Sequence, residues 1–166
     1  MRLAPLRPED RVRVSDILVA TAAFSSEEVS VALEIFDETF AGDRRPDYEF
    51  IGAYDAQRLL GYACFGETPA TEGTYDLYWL AVDPAAQGRG VGQALVQWVE
   101  RELGGRGARL LVVETSSRAD YGHARAFYAR GGYSEAARVR DFYSPADDRI
   151  ILTTRLTPRQ GGVATR

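Results

Sequence analysis

The chemistry this chain can do is concentrated where an apolar, aromatic run, Leu77-Tyr78-Trp79-Leu80-Ala81-Val82, stops at Asp83-Pro84. A short stretch carrying Gln87, Gly88, Arg89, Gly90 and Gly92 follows, and then an amphipathic segment that starts at Val91. The pattern predicts a strand, a glycine-rich turn and the start of a helix. The first turn of a helix has four backbone N–H groups without intrahelical partners, and the helix dipole adds partial positive charge there. Glycines let the backbone approach a diphosphate closely, and Arg89 adds a cation. Gln87, Gly88, Arg89, Gly90, Val91, Gly92 and Gln93 are the residues such a cradle would use.

Two common cradles are excluded. The chain contains no lysine, so it lacks the Gly-Lys-Ser/Thr ending of the Walker loop. The dinucleotide fingerprint needs a third glycine where Gln93 stands, and a repeated parallel fold around it. The loop instead resembles the Gln/Arg-x-x-Gly-x-Gly/Ala motif of the GNAT superfamily of acyl-CoA-dependent N-acetyltransferases. Gln87, Gly90 and Gly92 hold its three defined positions, and Leu80-Ala81-Val82-Asp83-Pro84 resembles the strand end that precedes it. A second segment, Ala124 to Tyr133, resembles that family's Ala-x-x-Phe-Tyr-x-x-x-Gly-Phe/Tyr motif. The resemblance covers roughly Tyr48 to Leu156.

The resemblance implies acetyl-CoA as co-substrate, with no metal. It places the cofactor in a splayed gap between two parallel strands, its pantetheine amides pairing with the backbone of Leu80, Ala81 and Val82. Amide formation from a thioester needs an amine freed of its proton, a polarised carbonyl and a proton for the leaving thiolate. An alkylamine with pKa about 10 is almost wholly protonated at neutral pH, so a base must act. Tyr128 matches the tyrosine that protonates the thiolate in this family. Asp76 and Glu114 are the candidate bases, and Glu72 in the preceding loop could also reach inward. Alternation along the strand puts Asp76, Tyr78, Leu80 and Val82 on one face, and burial beside the sheet would make Asp76 the better base. Where the family has a cofactor-contacting asparagine, this chain has Tyr121, which is expected to stack on or shield the cofactor. The acceptor pocket would draw on the first two helices and the final hairpin, here Phe24, Glu27, Glu28, Asp141, Phe142 and Tyr143, whose acidic and aromatic groups suit a cationic amine.

Composition narrows the rest. A net charge of −4 argues against a general nucleic-acid binder. No apolar run approaches a membrane span, and the N-terminus lacks a signal core. The single cysteine, Cys64, cannot form an internal disulfide and suits a reducing cytoplasm. The single histidine, His123, excludes a histidine-rich metal cluster. A homodimer is left open.

The elements that must position these residues follow from periodicity. Residues Ser15 to Ala41 are predicted to be mainly helical, with a first helix over Pro8 to Thr21 and a second starting within Phe24 to Glu28; Ser25 or Ser26 caps the second, and Gly42 ends it. A loop at residues 41–47 leads to strands at Tyr48 to Tyr54 and Leu59 to Gly66, which form an antiparallel hairpin. Asp76 to Val82 and Leu110 to Glu114 are strands separated by a helix at Val91 to Leu103, so they should be parallel neighbours. A helix at Tyr121 to Arg130, which Ser116 and Ser117 could cap, precedes strands at Tyr133 to Asp141 and Arg149 to Leu156. The expected fold is α/β (α+β): by the GNAT resemblance, a mixed, mostly antiparallel sheet with a splayed parallel pair, flanked by helices, in one domain over residues 1–156 with a flexible tail at 157–166. The expected function is acetyl transfer to a small amine, amino acid or related metabolite. A protein N-terminal or lysine acetyltransferase is the alternative within the family, and a non-catalytic acyl-CoA sensor the alternative outside it.

Overall fold

The computed structural model describes residues 1–41 and 47–157. The expected helix end at Gly42, the interior of the following loop and the tail beyond residue 157 lie outside the described residues. The strands are β1 (Arg2–Pro5), β2 (Glu49–Asp55), β3 (Arg58–Glu67), β4 (Thr74–Val82), β5 (Leu110–Ser116), β6 (Ser134–Ser144) and β7 (Asp147–Arg155). The helices are α1 (Arg11–Thr21), α2 (Ser26–Ala41), α3 (Val91–Gly105) and α4 (Gly122–Arg130). The strands form one sheet in the order β1-β2-β3-β4-β5-β7-β6. All neighbours run antiparallel except β4 and β5, the one parallel pair among the described residues.

Alternation along β2 and β3 sends side chains to two cores. Ile51, Ala53, Ala63 and Phe65 pack with Leu95, Val99 and Leu103 of α3 and Tyr128 of α4. Phe50, Tyr54, Tyr62 and Cys64 pack with Val14, Ile17 and Leu18 of α1 and Phe36 of α2. Both faces of the central strands are therefore covered, which is why these strands read as nearly continuous apolar runs. No helix among the described residues is long and apolar enough to cross a membrane.

Helix starts follow local chemistry. At α2, Ser25 Oγ accepts from the Glu28 N–H at 3.2 Å while the Glu28 carboxylate accepts from the Ser25 N–H at 2.7 Å, a reciprocal capping box. The first expected helix divides into a 3-10 turn, Pro8–Asp10, and α1, which ends at Ala22 in the left-handed region. Strand β1 gave no sequence signal. Its four residues are too few to show a period, and the open edge of β2 decides their conformation. Ser116 and Ser117 do not cap α4. Ser116 Oγ donates to Asp147 and Ser117 Oγ accepts from the Asp148 N–H at 2.8 Å, so both serines fasten the end of β5 to the β6–β7 turn.

Burial pushes the phenols of Tyr54, Tyr62, Tyr128 and Tyr133 above the ordinary tyrosine value of 10. The folded state holds them neutral, whereas the unfolded chain releases their protons near the ordinary value. The stability this contributes is present below that value and lost as pH rises past it. The denaturation midpoint is expected to stay level up to about pH 9 and to fall steadily above about pH 10. Phenolate absorbance should rise together with unfolding; a rise of several tyrosines' worth in a still-folded protein would contradict the argument.

Candidate active site

The parallel pair is short. Thr74, Tyr75 and Asp76 of β4 face Leu110, Leu111 and Val112 of β5, and there the pairing stops. Beyond it β4 continues along β3 as far as Val82, and β5 continues along β7 as far as Ser116. The β4 edge from Leu77 onward therefore faces a widening gap instead of a strand. Backbone groups on such an edge are open to an extended ligand that supplies the missing ladder.

At the end of β4 the chain is clamped before it enters the glycine-rich loop. The Asp83 carboxylate accepts from the Ala85 N–H at 2.9 Å and caps the 3-10 turn Pro84–Ala86. The same carboxylate takes Arg13 of α1 and, at 3.0 Å, Arg58 at the start of β3. The backbone hydrogen bond to Ala85, burial and the two guanidinium partners act on Asp83, and the net effect holds it below the usual carboxylate range. Gln87 turns back, its side-chain nitrogen donating to the Val82 carbonyl at 3.4 Å.

Gly88 and Gly90 have φ of +73° and +77°, a region that costs other residues strain, and a Cβ at either would meet open space. Both are glycine for backbone conformation, and their exposed faces leave room for a ligand. Gly90 is the N-cap of α3 and offers no side-chain acceptor, so Val91, Gly92 and Gln93 open the helix without the capping box that α2 has. Gly92 differs: a Cβ there would lie 3.6 Å from Val82 Cγ2 and 3.7 Å from the Phe127 ring. Arg89 stands at the rim, its guanidinium 3.9 Å from Asp55.

The expected alternation along β4 is wrong. Cys64 pairs with Trp79 but Phe65 pairs with Leu77, so Tyr78 is an extra residue in a bulge. The bulge flips the phase. Leu80 and Val82 pack on the α3 side, whereas Asp76 and Tyr78 precede the flip and do not share their face. Asp76 instead lines a cleft of about 180 Å³ with Leu77, Tyr78, Val112 and Glu114. Both carboxylates named from sequence therefore meet in the gap between β4 and β5. Asp76 is half-buried rather than buried, and it accepts from Thr68 Oγ1 at 2.5 Å. Glu114 pairs with Arg149 of β7.

Tyr128 is buried on α4, edge-on to Phe127 and Tyr133 at ring separations of 5.1 and 5.2 Å. Burial alone pushes its phenol up, which keeps the proton in place at neutral pH. Arg125, one turn earlier on α4, donates to the Ser116 and Arg118 carbonyls at 2.6 and 2.8 Å and ties the helix to the end of β5. Tyr121 lies on the 3-10 turn before α4, and its hydroxyl donates to the Ala23 carbonyl at 2.8 Å. Its hydroxyl is thus engaged by the α1–α2 connection, beside Phe24.

Residues expected at the acceptor side converge only in part. Burial pushes the Tyr143 phenol up, the charges of Glu114, Asp147 and Glu28 act the same way, and Arg149 opposes them. Phe142 carries the Arg149 guanidinium on its ring face at 4.9 Å. Asp141 accepts from the Ala146 N–H at 2.6 Å and shapes the hairpin. Glu27 sits exposed beside Ser26 on the first turn of α2. Arg149, Asp147 and Arg125 had no sequence signal, because each acts on a residue distant along the chain or on a backbone carbonyl.

The model of the acetyltransferase (GNAT) family matches residues 13–133. A solved structure from Desulfovibrio desulfuricans, described as of the GNAT family, superposes with a TM-score of 0.91 at 39% identity over 94% of this chain and 99% of that one. The [ribosomal protein bS18]-alanine N-acetyltransferase of Salmonella typhimurium is 31% identical over 134 residues, 79% of this chain and 87% of that protein. The N-alpha-acetyltransferase RimI of Mycobacterium tuberculosis is 36% identical over 102 residues, 59% of this chain, which spans 60% of that relative's length.

Proposed function

Since the chain belongs to the GNAT acetyltransferase family, we propose that it moves the acetyl group of acetyl-CoA to a primary amine of a small, amino-acid-like molecule by direct attack. The splay between β4 and β5, ending at an uncapped helix start, carries this reading. The free N–H groups of Val91, Gly92 and Gln93 would hold the diphosphate, with Gln87, Gly88, Arg89 and Gly90 shaping the loop around it. The open edge at Leu80, Ala81 and Val82 would pair with the pantetheine amides, and an N–H there would polarise the thioester carbonyl. Placing amine and thioester in line removes the need for a covalent enzyme intermediate.

Asp76 is the base in this proposal. It lines the cleft, and Thr68 engages one of its oxygens, leaving the other to take the amine proton directly or through a water. Glu114 has its carboxylate engaged by Arg149. Tyr128 gives its proton to the departing thiolate. A reducing cytoplasm suits the single, buried thiol of Cys64. The names of the Salmonella and mycobacterial relatives favour a second reading, in which the acceptor is a protein α-amine.

Acetyl-CoA titrated in a calorimeter, paired with thiol release over a panel of amines and N-terminal peptides, tests the proposal. Binding without turnover on any amine would identify a sensor and end the transferase reading. Asp76→Asn is expected to cut turnover at pH 7 by about 10² or more, the scale of general base catalysis. The deficit should shrink at high pH, where free amine is abundant, and Glu114→Gln should lose less. An equal, pH-independent loss in Asp76→Asn would make this carboxylate an orienting group.

A further inference from the structure

Arg149 pairs with a carboxylate of the cleft at which an amine has to arrive. It stands on β7 opposite Ser116, at the end of β5. One terminal nitrogen, Nη2, donates to Glu114, which lines the cleft together with Asp76. The guanidinium lies 4.9 Å over the Phe142 ring. Among the described residues its Nε is buried without an acceptor, and Nη1 makes no hydrogen bond. A buried donor without a partner carries a desolvation penalty. A site for a plain alkylammonium gains nothing from a guanidinium at its mouth, since like charges repel. An arginine fork does match a carboxylate.

Resting on the acetyl-transfer reading above, we infer that Arg149 holds the carboxylate of the acceptor, so that the substrate is a small α-amino acid. Its amine sits at Asp76 and its carboxylate at Arg149. Glu114 lines the cleft with Asp76 and accepts from Arg149, so both places adjoin one carboxylate, and an α-amino acid carries its ammonium and carboxylate on a single carbon. The ammonium gives one proton to Asp76, the free amine forms the bond to the acetyl carbon, the carbon–sulfur bond breaks as Tyr128 protonates the sulfur, and the second nitrogen proton returns to the Tyr128 oxygen directly or through water.

The test uses the full chain and acetyl-CoA, with thiol release read over the twenty common amino acids. The best of them is then compared with its primary amide and with its decarboxylated amine. The acid is expected to exceed both in kcat/KM by roughly ten- to hundredfold, the worth of a charge-assisted hydrogen bond. Arg149→Met should collapse that ratio towards one, and Arg149→Lys should keep part of it. An amide or amine used as well as the acid by the wild type would overturn the inference. So would an unchanged ratio in a folded Arg149→Met, or activity confined to peptides. Acetyl-CoA bound in a calorimeter with no transfer to any amine would overturn the transferase reading and this inference with it.

Discussion

Gly90→Asp is expected to lower acetyl-CoA affinity by about 10² or more while the protein stays folded. Gly90 has φ of +77° at the N-cap of α3, and a Cβ there meets nothing within 4 Å. Aspartate is among the residues that tolerate this backbone, so the conformational cost is about 1 kcal/mol. A carboxylate at a helix start also favours the helix. The same carboxylate would occupy the donors that the diphosphate needs. Two unit charges about 4 Å apart repel by about 4 kcal/mol at an effective dielectric near 20, a factor of roughly 10³ before solvent screening. Gly90→Ala adds the strain without the charge and should bind far better than Gly90→Asp. Titration calorimetry with a thermal midpoint for each variant reads both effects. A folded Gly90→Asp that binds acetyl-CoA as the wild type does would remove the cradle. Gly92 behaves differently: its Cβ would point at Val82 and Phe127, so Gly92→Asp should lose stability first and binding only as a consequence.

Tyr128→Phe is expected to reduce turnover by roughly 10²- to 10⁴-fold, the usual contribution of a positioned general acid. The ring's packing against Phe127 and Tyr133 is kept, so acetyl-CoA affinity should stay near the wild-type value. Burial pushes the phenol above its ordinary value of 10, so the wild-type enzyme keeps its acid through the alkaline range in which the amine loses its proton. Its rate should therefore rise with pH as free amine accumulates, and fall only when Tyr128 itself ionises or the fold gives way. The variant should have no such dependence on a tyrosine. Wild-type turnover in Tyr128→Phe would leave Tyr128 as a core residue and hand the thiolate to solvent.

The sequence by itself determined the contiguous parts. The run from Leu80 to Gln93 had to be a strand, a turn with left-handed glycines and a helix start, because pleat, φ freedom and unpaired N–H groups are properties of consecutive residues. The Leu59 hairpin, the serine cap of α2 and Tyr128 on α4 were legible for the same reason. Only the tertiary structure decided where side chains on different elements meet. The face that Asp76 takes depends on a bulge at Tyr78, and only the register of β3 against β4 sets that bulge. Tyr121 finds Ala23 across 98 residues, and Arg149 finds Glu114 across 35. A strand's period fixes alternation but not where alternation skips. A guanidinium or hydroxyl takes whichever acceptor the packed sheet brings within 3 Å or so. The cradle was therefore written in neighbouring residues, and the acceptor side in the packing of β5, β7 and α2.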